Sequence, residues 1–215
     1  MLMSTAGGEP MIESATADLP RAFDDREMYA LYQRPHRVAD LVLAQWPRFV
    51  ATVAAGGHLR LLVVSMVAAS VVFAVPYGLV LGLHAAWRVT ALFLGSLLLC
   101  VPALHVFGAY LGQRRSPAQT LAQALSLSTV AALFSLAFAP ILWFLAVTNA
   151  PGAVIDTPML SRWLLAVCFL AGVGHLLRCT WGARALGAAD LMLVPVWLTL
   201  LGFVTLRMAG ALGLG

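Results

Sequence analysis

The sequence predicts an all-α protein, a polytopic membrane helix bundle of five transmembrane helices preceded by an N-terminal interfacial amphipathic helix. Hydrophobic residues make up 61% of the 215 residues and charged residues only 10%, whereas an average soluble domain is about 25% charged. The mean hydropathy of +0.91 agrees with this class. All three glutamates and four of the six aspartates lie in the first 40 residues, so the chain divides into a polar amino-terminal part and a membrane part.

The positive charge comes entirely from 13 arginines, because the chain contains no lysine. These arginines are dispersed and form no basic stripe with interleaved aromatic residues, which argues against a nucleic-acid partner. The three cysteines, Cys100, Cys168 and Cys179, show no C-x-x-C spacing. We therefore expect no disulfide framework, no thiolate metal site and no cofactor.

The amino-terminal part contains two different segments. Residues 1–25 mix small, polar and acidic residues without periodicity and are expected to form a flexible tail. Residues 26–57 instead carry apolar residues at three- and four-residue steps, which predicts an amphipathic helix. Pro35 suits its first turn, Pro47 breaks it, and the pair Gly56–Gly57 ends it. The apolar stripe consists of Val38, Leu41, Val42, Gln45 and Phe49.

Two surfaces can cover this stripe. A helix with Trp46 on its flank fits the surface of the lipid bilayer. The same helix can equally pack on the cytosolic ends of the chain's own spanning helices. The sequence leaves both alternatives open.

Residues 58–215 form the predicted transmembrane domain. A helix needs about 20 predominantly apolar residues to cross a hydrocarbon core of about 30 Å, and five segments meet this requirement. They are residues 61–83, 89–112, 118–147, 160–178 and 188–209. The third is the longest, so it must tilt, bend or extend into an interface.

The arginines that flank these spans predict the orientation. If the amino terminus is cytoplasmic, the cytoplasmic flanks hold Arg48, Arg60, Arg114, Arg115, Arg178 and Arg184. The opposite flanks then hold Arg88, Arg162 and Arg207. The positive-inside rule therefore predicts a cytoplasmic amino terminus and a carboxyl terminus outside.

Prolines and paired glycines mark the spans. The prolines are Pro76, Pro102, Pro140 and Pro195. Each frees a backbone carbonyl about four residues upstream, and the resulting kinks could line a gate or simply be tolerated. The glycine pairs are Gly78 with Gly82 and Gly108 with Gly112. Such pairs allow close helix packing, either inside the bundle or in a homo-oligomer.

Few ionisable residues lie inside the spans, and the candidates among them are His105, His175 and Asp190. Burying a charge in a membrane is costly, so such residues point to function. Brought together, they could bind a metal or relay protons. Alternatively, His175 and Asp190 are solvated near the interface, and His105 stays neutral and donates a hydrogen bond to a proline-freed carbonyl. Catalytic motifs such as G-x-S-x-G or H-E-x-x-H are missing from the sequence, so we expect a protein that is not an enzyme.

Three segments resemble a widespread family of uncharacterised bacterial multi-spanning proteins, which is distantly similar to the Yip family. They are VPYGLVLG (75–82), LLLCVPALHVFGAYLGQRRSPAQTL (97–121) and LFSLAFAPILWFLAVTN (133–149). Yip proteins have a cytosolic amino terminus, five spans and a short basic loop before a Ser-x-x-x-Thr helix start, which here is QRRSPAQT. The resemblance covers roughly residues 35–180. It implies a protein of the bacterial inner membrane that organises membranes or assembles complexes, and it carries no catalytic residues.

Three functions follow as hypotheses. The first is a non-enzymatic organising or assembly component, whose partners are other membrane proteins or further copies of this chain. The second is a small transporter or channel along the proline-kinked helices, and the third is an accessory subunit of an energy-transducing complex with His105 near a proton path. The first two differ in whether four hydroxyl side chains line water or are buried in helix contacts. These are Ser126, Ser128, Thr129 and Ser135.

Overall fold

The computed structural model describes residues 22–24, 26–27, 29–30, 34–110, 115–148, 157–182 and 188–213. The side chains of residues 35, 158, 181–182 and 188–193 lie outside this description. The described residues also exclude Gly112, Arg114, Arg184 and most of the predicted tail at residues 1–25. Within the described ranges the regular structure is helical, and no strand occurs.

The helices are α1 (Pro35–Leu43), α2 (Trp46–Ala55), α3 (Leu59–Leu81), α4 (Leu83–Tyr110), α5 (Pro117–Thr148), α6 (Thr157–Gly182) and α7 (Ala188–Ala211). The five from α3 to α7 are long and apolar enough to cross a membrane. The chain is therefore an all-α, multi-pass membrane helix bundle, and the predicted fold class is confirmed.

The predicted spans agree with these helices except at the start of α4. This helix begins at Leu83 instead of residue 89. The prediction placed Arg88 in the flank before this span. The backbone hydrogen bonds of a helix do not depend on the polarity of its side chains, so the helix continues through this residue.

Helix α5 occupies the centre of the bundle. It packs against α3, α6 and α4, whereas α7 packs along α4. Every residue from Ala124 to Ala132 is buried, and a continuous buried run covers all faces of a helix. Most of these side chains are small, which lets neighbouring backbones approach closely where lipid provides no hydrophobic drive for association.

The bundle has two distinct ends. At one of them α3, α5 and α7 begin and α4 and α6 end, and the helices α1 and α2 cover it. We call it the basic end, because among the described residues it holds the arginines Arg48, Arg60, Arg115 and Arg178. The opposite end carries Arg88, Arg162 and Arg207.

The packing of α1 and α2 shows which surface covers the apolar stripe. Val38, Leu41, Val42 and Phe49 are almost completely buried in the bundle core, and α1 packs on both α3 and α5. The stripe therefore contacts protein and not the bilayer surface, while Gln45 is exposed. Apolar side chains are removed from water equally well by a protein core and by lipid, so packing on the bundle stabilises them.

The predicted break and end of this region are confirmed. Helix α1 ends at Leu43, and Pro47 lies in the first turn of α2. Gly56, with a φ of 75°, ends α2 in the left-handed conformation, which glycine adopts without steric cost.

Candidate functional site

The candidate site is built around His105, near the end of α4. Its Nδ1 lies 3.4 Å from the Thr120 hydroxyl in the first turns of α5, and that hydroxyl donates to the Ser116 carbonyl at 3.3 Å. Since the Thr120 proton is used in this way, the hydroxyl oxygen accepts from Nδ1–H. The described partner of His105 Nδ1 is thus a hydroxyl group on the neighbouring helix, whereas the sequence analysis considered a carbonyl freed by proline.

A second polar chain begins at Arg115, just before α5. One of its guanidinium nitrogens donates to Gln123 Oε1 at 2.6 Å. The Gln123 amide then donates to Thr180 Oγ1 at 3.3 Å, and Thr180 donates to the Leu176 carbonyl at 2.8 Å. The chain of bonds joins the start of α5 to the last turn of α6 and fixes the orientation of the Arg115 guanidinium.

Trp197 of α7 forms the inner wall of the site. Its indole Nε1–H donates to the Cys100 carbonyl of α4 at 2.9 Å, and the side chain is buried. Cys100 lies two residues before Pro102, so its carbonyl is not the one that this proline frees, which lies about four residues upstream.

Together these side chains line a cavity of about 40 Å³ between α4, α5, α6 and α7. We call it the basic-end pocket. Its polar lining consists of His105, Arg115, Thr120, Gln123, Thr180 and Trp197. A water molecule needs about 10–15 Å³ of such volume, so the pocket has room for about three oxygen-sized groups.

His175, another of the predicted ionisable residues, does not join His105 in the basic-end pocket. The buried side chain of His175 contacts the thiol of Cys179, one turn further along α6, with 3.3 Å between Nε2 and Sγ. Asp190 belongs to α7, but its side chain lies outside the described residues. In the part of the chain that the structure describes, no group of three His, Cys, Asp or Glu residues could hold a metal ion.

The helix prolines lie inside α3, α4, α5 and α7, as predicted. Pro102, Pro140 and Pro195 are exposed on the outer surface of the bundle, and Pro76 is half-buried. None of the four lines the basic-end pocket. These prolines therefore do not shape the basic-end pocket.

The glycine pair Gly78 and Gly82 serves the α3–α4 hairpin. A Cβ placed on Gly78 would lie 2.4 Å from the Cα of Ala86, so the two helices approach too closely for a side chain. Gly82 has a φ of 122° in the turn, a conformation that favours glycine. Gly108 is buried and lines the basic-end pocket, and its predicted partner Gly112 lies outside the described residues.

Four hydroxyl side chains in the middle of α5 are buried in helix contacts. Ser128 donates to the Phe93 carbonyl of α4 at 2.8 Å. Thr129 donates to its own helix at Leu125 and lies 3.2 Å from the Ser70 hydroxyl of α3. Ser126 and Ser135 also donate to carbonyls of α5. Among the described residues, no buried side-chain nitrogen or oxygen lacks a hydrogen-bond partner.

Two buried contacts were not predicted. The Tyr77 hydroxyl donates to the Ser161 carbonyl at 2.8 Å and ties α3 to α6. A Cβ on Gly172 would lie 2.6 Å from the Leu127 carbonyl oxygen, so α6 and α5 touch there. The sequence contained a signal for each contact. The hydroxyl group of a tyrosine inside an apolar run needs a hydrogen-bond partner. Cys168 and Gly172 are small residues four positions apart, a spacing that allows close helix packing.

No protein-family model, no curated protein and no solved structure matches this chain. The resemblance to the Yip family therefore stays a prediction.

Proposed function

We propose that this protein is a non-enzymatic membrane-organising or complex-assembly component, as its resemblance to Yip-type proteins implies. In this proposal it lies in the bacterial inner membrane, and its basic end faces the cytoplasm. The observation that carries the proposal is the attachment of α1 and α2 to that end by packing and hydrogen bonds, because assembly requires a surface of defined geometry outside the membrane.

Gln119 supplies much of this attachment. Its Oε1 accepts from the Ser116 N–H at 2.8 Å, while its own N–H donates to the Ser116 hydroxyl at 3.2 Å. This reciprocal pair is a capping box at the start of α5. The Gln119 amide also donates to the carbonyls of Val53 and Ala54 at 2.9 and 3.2 Å. One side chain thus caps α5 and satisfies the carboxyl end of α2.

Further contacts tie α2 to α6 and to the segment that precedes α1. The guanidinium of Arg178 in α6 lies 5.2 Å from the centre of the Trp46 ring, a cation–π contact. Arg48 pairs with Glu27 at 3.0 Å and lies 4.0 Å from the centre of the Phe23 ring. The outward face of α1 keeps Arg37 and Asp40 exposed, and this charged face is the surface that we assign to a partner.

Photo-crosslinking in native membranes tests the assembly role. A photoreactive residue at position 37 is expected to give discrete adducts, whereas one at position 207, at the opposite end, gives different adducts or none. Gln119→Ala in the same protein should reduce the adducts of position 37, because α2 loses its tie to α5. Identical adducts from both positions, unaffected by Gln119→Ala, would contradict the proposal.

Transport along the proline-containing helices has less support. The hydroxyl groups of α5 are buried in helix contacts, and three of the four helix prolines are exposed. A pathway would need polar groups that face water across the thickness of the bundle. Solute flux into liposomes containing the protein is the measurement that would favour this alternative.

Fusions to the carboxyl terminus test the proposed orientation. We expect alkaline phosphatase to be active and green fluorescent protein to be dark, because the carboxyl terminus lies outside when the basic end is cytoplasmic. A fusion after Ala55, at the basic end, is the control and should give the reverse result. Fluorescence from the carboxyl-terminal fusion would place the basic end outside.

A further inference from the structure

Arg207 differs from the other two arginines at the end of the bundle opposite the basic end. Arg88 lies in the second turn of α4 and Arg162 in the second turn of α6, and both helices begin at this end. Arg207 lies near the carboxyl end of α7, which ends here. Each of the three is four or five residues from the end of its helix. They therefore differ less in depth than in the direction of the helix that carries them.

The direction of a helix decides where its side chains are aimed. Every Cα–Cβ bond of an α-helix is tilted toward the amino terminus of that helix. The Cβ atoms of Arg88 and Arg162 are therefore directed out of the bundle, toward headgroups and water. The Cβ atom of Arg207 is directed the opposite way, toward the basic end. To reach water at its own end, this side chain has to turn back against the tilt.

The residue after Arg207 shows how deep this turn of α7 reaches. The Met208 side chain extends to α4, where its Cε would lie 2.8 Å from a Cβ added to Gly95. Gly95 is seven residues further into α4 than Arg88, which corresponds to about 10 Å along the helix. Side chains from this part of α7 therefore extend into the membrane-spanning part of the bundle.

Arg207 is also exposed on the outer surface of the bundle. It belongs to the segment Val194–Ala211, which is apolar enough to span a membrane. Val196, Leu200 and Phe203 share its face of α7 and are exposed as well. Charged residues inside spans usually face the bundle interior or pair with another charge, because lipid solvates them poorly. A group that covers this face and pairs with the guanidinium would therefore stabilise it.

The same face is accessible to another helix. Helix α7 packs along α4, and its fully buried side chains among the described residues, Trp197 and Leu201, lie away from the exposed face. Gly210 is exposed beside Arg207, and a Cβ added to it would meet no atom within 4 Å. A glycine on the surface of a membrane helix allows a second helix backbone to approach closely.

The group that pairs with Arg207 has to be an acid. A guanidinium presents its N–H groups in a planar fork that matches carboxylates and phosphates. Lipid phosphates lie beyond the end of α7, whereas the Cα–Cβ bond of Arg207 is directed to the other side. A carboxylate on a membrane helix has no such restriction in depth. The described acidic side chains of this chain, Asp24, Glu27 and Asp40, belong to the basic end, which favours the helix of a different protein.

We propose that the exposed face of α7 around Leu200, Phe203 and Arg207 binds a transmembrane helix of another protein that carries a carboxylate at this depth. The apolar side chains pack on the partner helix, and Arg207 pairs with its carboxylate. This is a second interaction surface, inside the membrane, which goes beyond the charged face of α1 and does not depend on it.

A synthetic helix tests this surface on the full-length protein in phosphatidylcholine vesicles. The probe is a transmembrane peptide of leucines with one glutamate at the depth of Arg207. Energy transfer from a donor on the peptide to an acceptor on the carboxyl terminus of the protein is the readout. We expect the glutamate peptide to bind and a glutamine peptide to bind about tenfold more weakly, the upper range for a polar contact between membrane helices. Arg207→Gln should cause the same loss, and Arg207→Lys, which keeps the charge, should retain most of the binding.

The matched control is Arg162→Gln. It removes an exposed arginine at the same end of the bundle, but from a helix that begins there. This variant should bind the glutamate peptide within about twofold of wild type. Binding that is unchanged in Arg207→Gln, or that is reduced equally in Arg162→Gln, would overturn the proposal.

Two further measurements test the other occupants of this face. Phosphatidylglycerol added to the vesicles should leave peptide binding unchanged, and displacement of the peptide that depends on Arg207 would instead make a lipid phosphate the occupant. Asp156→Asn removes an acid that lies outside the described residues, and it should also leave binding unchanged. If only Asp156→Asn bound the peptide, Arg207 would be paired within this chain or with a second copy, and the proposal would be wrong.

Discussion

Replacing Gly172 by alanine is expected to destabilise the bundle by about 1–3 kcal/mol, the usual cost of overpacking a core. The new Cβ would lie 2.6 Å from the Leu127 carbonyl oxygen and 3.2 Å from its Cγ. The carbonyl belongs to the backbone of α5, the central helix, so it cannot give way without moving that helix. The contact therefore has to be relieved by separating α6 from α5.

The matched control is Gly174→Ala, two residues further along the same helix. A Cβ there meets no atom within 4 Å, and alanine favours a helix over glycine by about 1 kcal/mol, so the variant should be as stable as wild type or more so. A thiol-reactive fluorogenic maleimide provides the measurement, because Cys100, Cys168 and Cys179 are free and buried and react only when the bundle opens. Equal unfolding midpoints for the two variants would mean that α5 and α6 do not meet at Gly172.

The membrane architecture could be predicted from the sequence because it depends on local quantities. A run of about 20 apolar residues forms a spanning helix whichever neighbours it has, since every backbone group must be satisfied within the helix. The same is true of the two ends of α2, where Pro47 and Gly56 act through their own backbone conformations. Such features need no knowledge of the rest of the fold.

The neighbours of each helix could not be predicted in the same way. A pair of glycines four residues apart shows that a backbone can be approached, but not by which helix. Gly78 and Gly82 serve a hairpin with the next helix, whereas Gly172, which was not singled out, makes the tight contact with α5. Likewise, the stripe of Val38 and Leu41 specifies an apolar covering, and both lipid and the bundle provide one.

The candidate site was predictable only in part. His105 was identified as unusual, and its partner Thr120 follows from the connection between α4 and α5, which brings the end of one helix beside the start of the next. Arg115 was interpreted only as one of the flanking arginines that predict the orientation in the membrane. Thr180 and Trp197 reach the pocket from α6 and α7, and no local pattern indicates that these distant segments converge.

Replacing Trp197 by alanine is expected to cost about 3–5 kcal/mol, as for other buried tryptophans, and to loosen α7 from the bundle. Trp197 and Leu201 are the fully buried side chains among the described residues of α7, at 2% and 0% exposed. Truncation would remove the larger of these anchors and leave the Cys100 carbonyl without its 2.9 Å donor. The basic-end pocket would lose its inner wall at the same time.

Two further variants separate the contribution of packing from that of the hydrogen bond. Trp197→Phe keeps most of the packing and removes the hydrogen bond, so we expect a smaller loss, about 1 kcal/mol. Trp163→Ala truncates a tryptophan that is 64% exposed and should have little effect on unfolding. Maleimide labelling followed by mass spectrometry gives the site of opening: in Trp197→Ala, Cys100 should react before Cys168 and Cys179, because Cys100 lies at the contact with α7. Simultaneous labelling of all three at the wild-type midpoint would show that α7 is held by something other than Trp197.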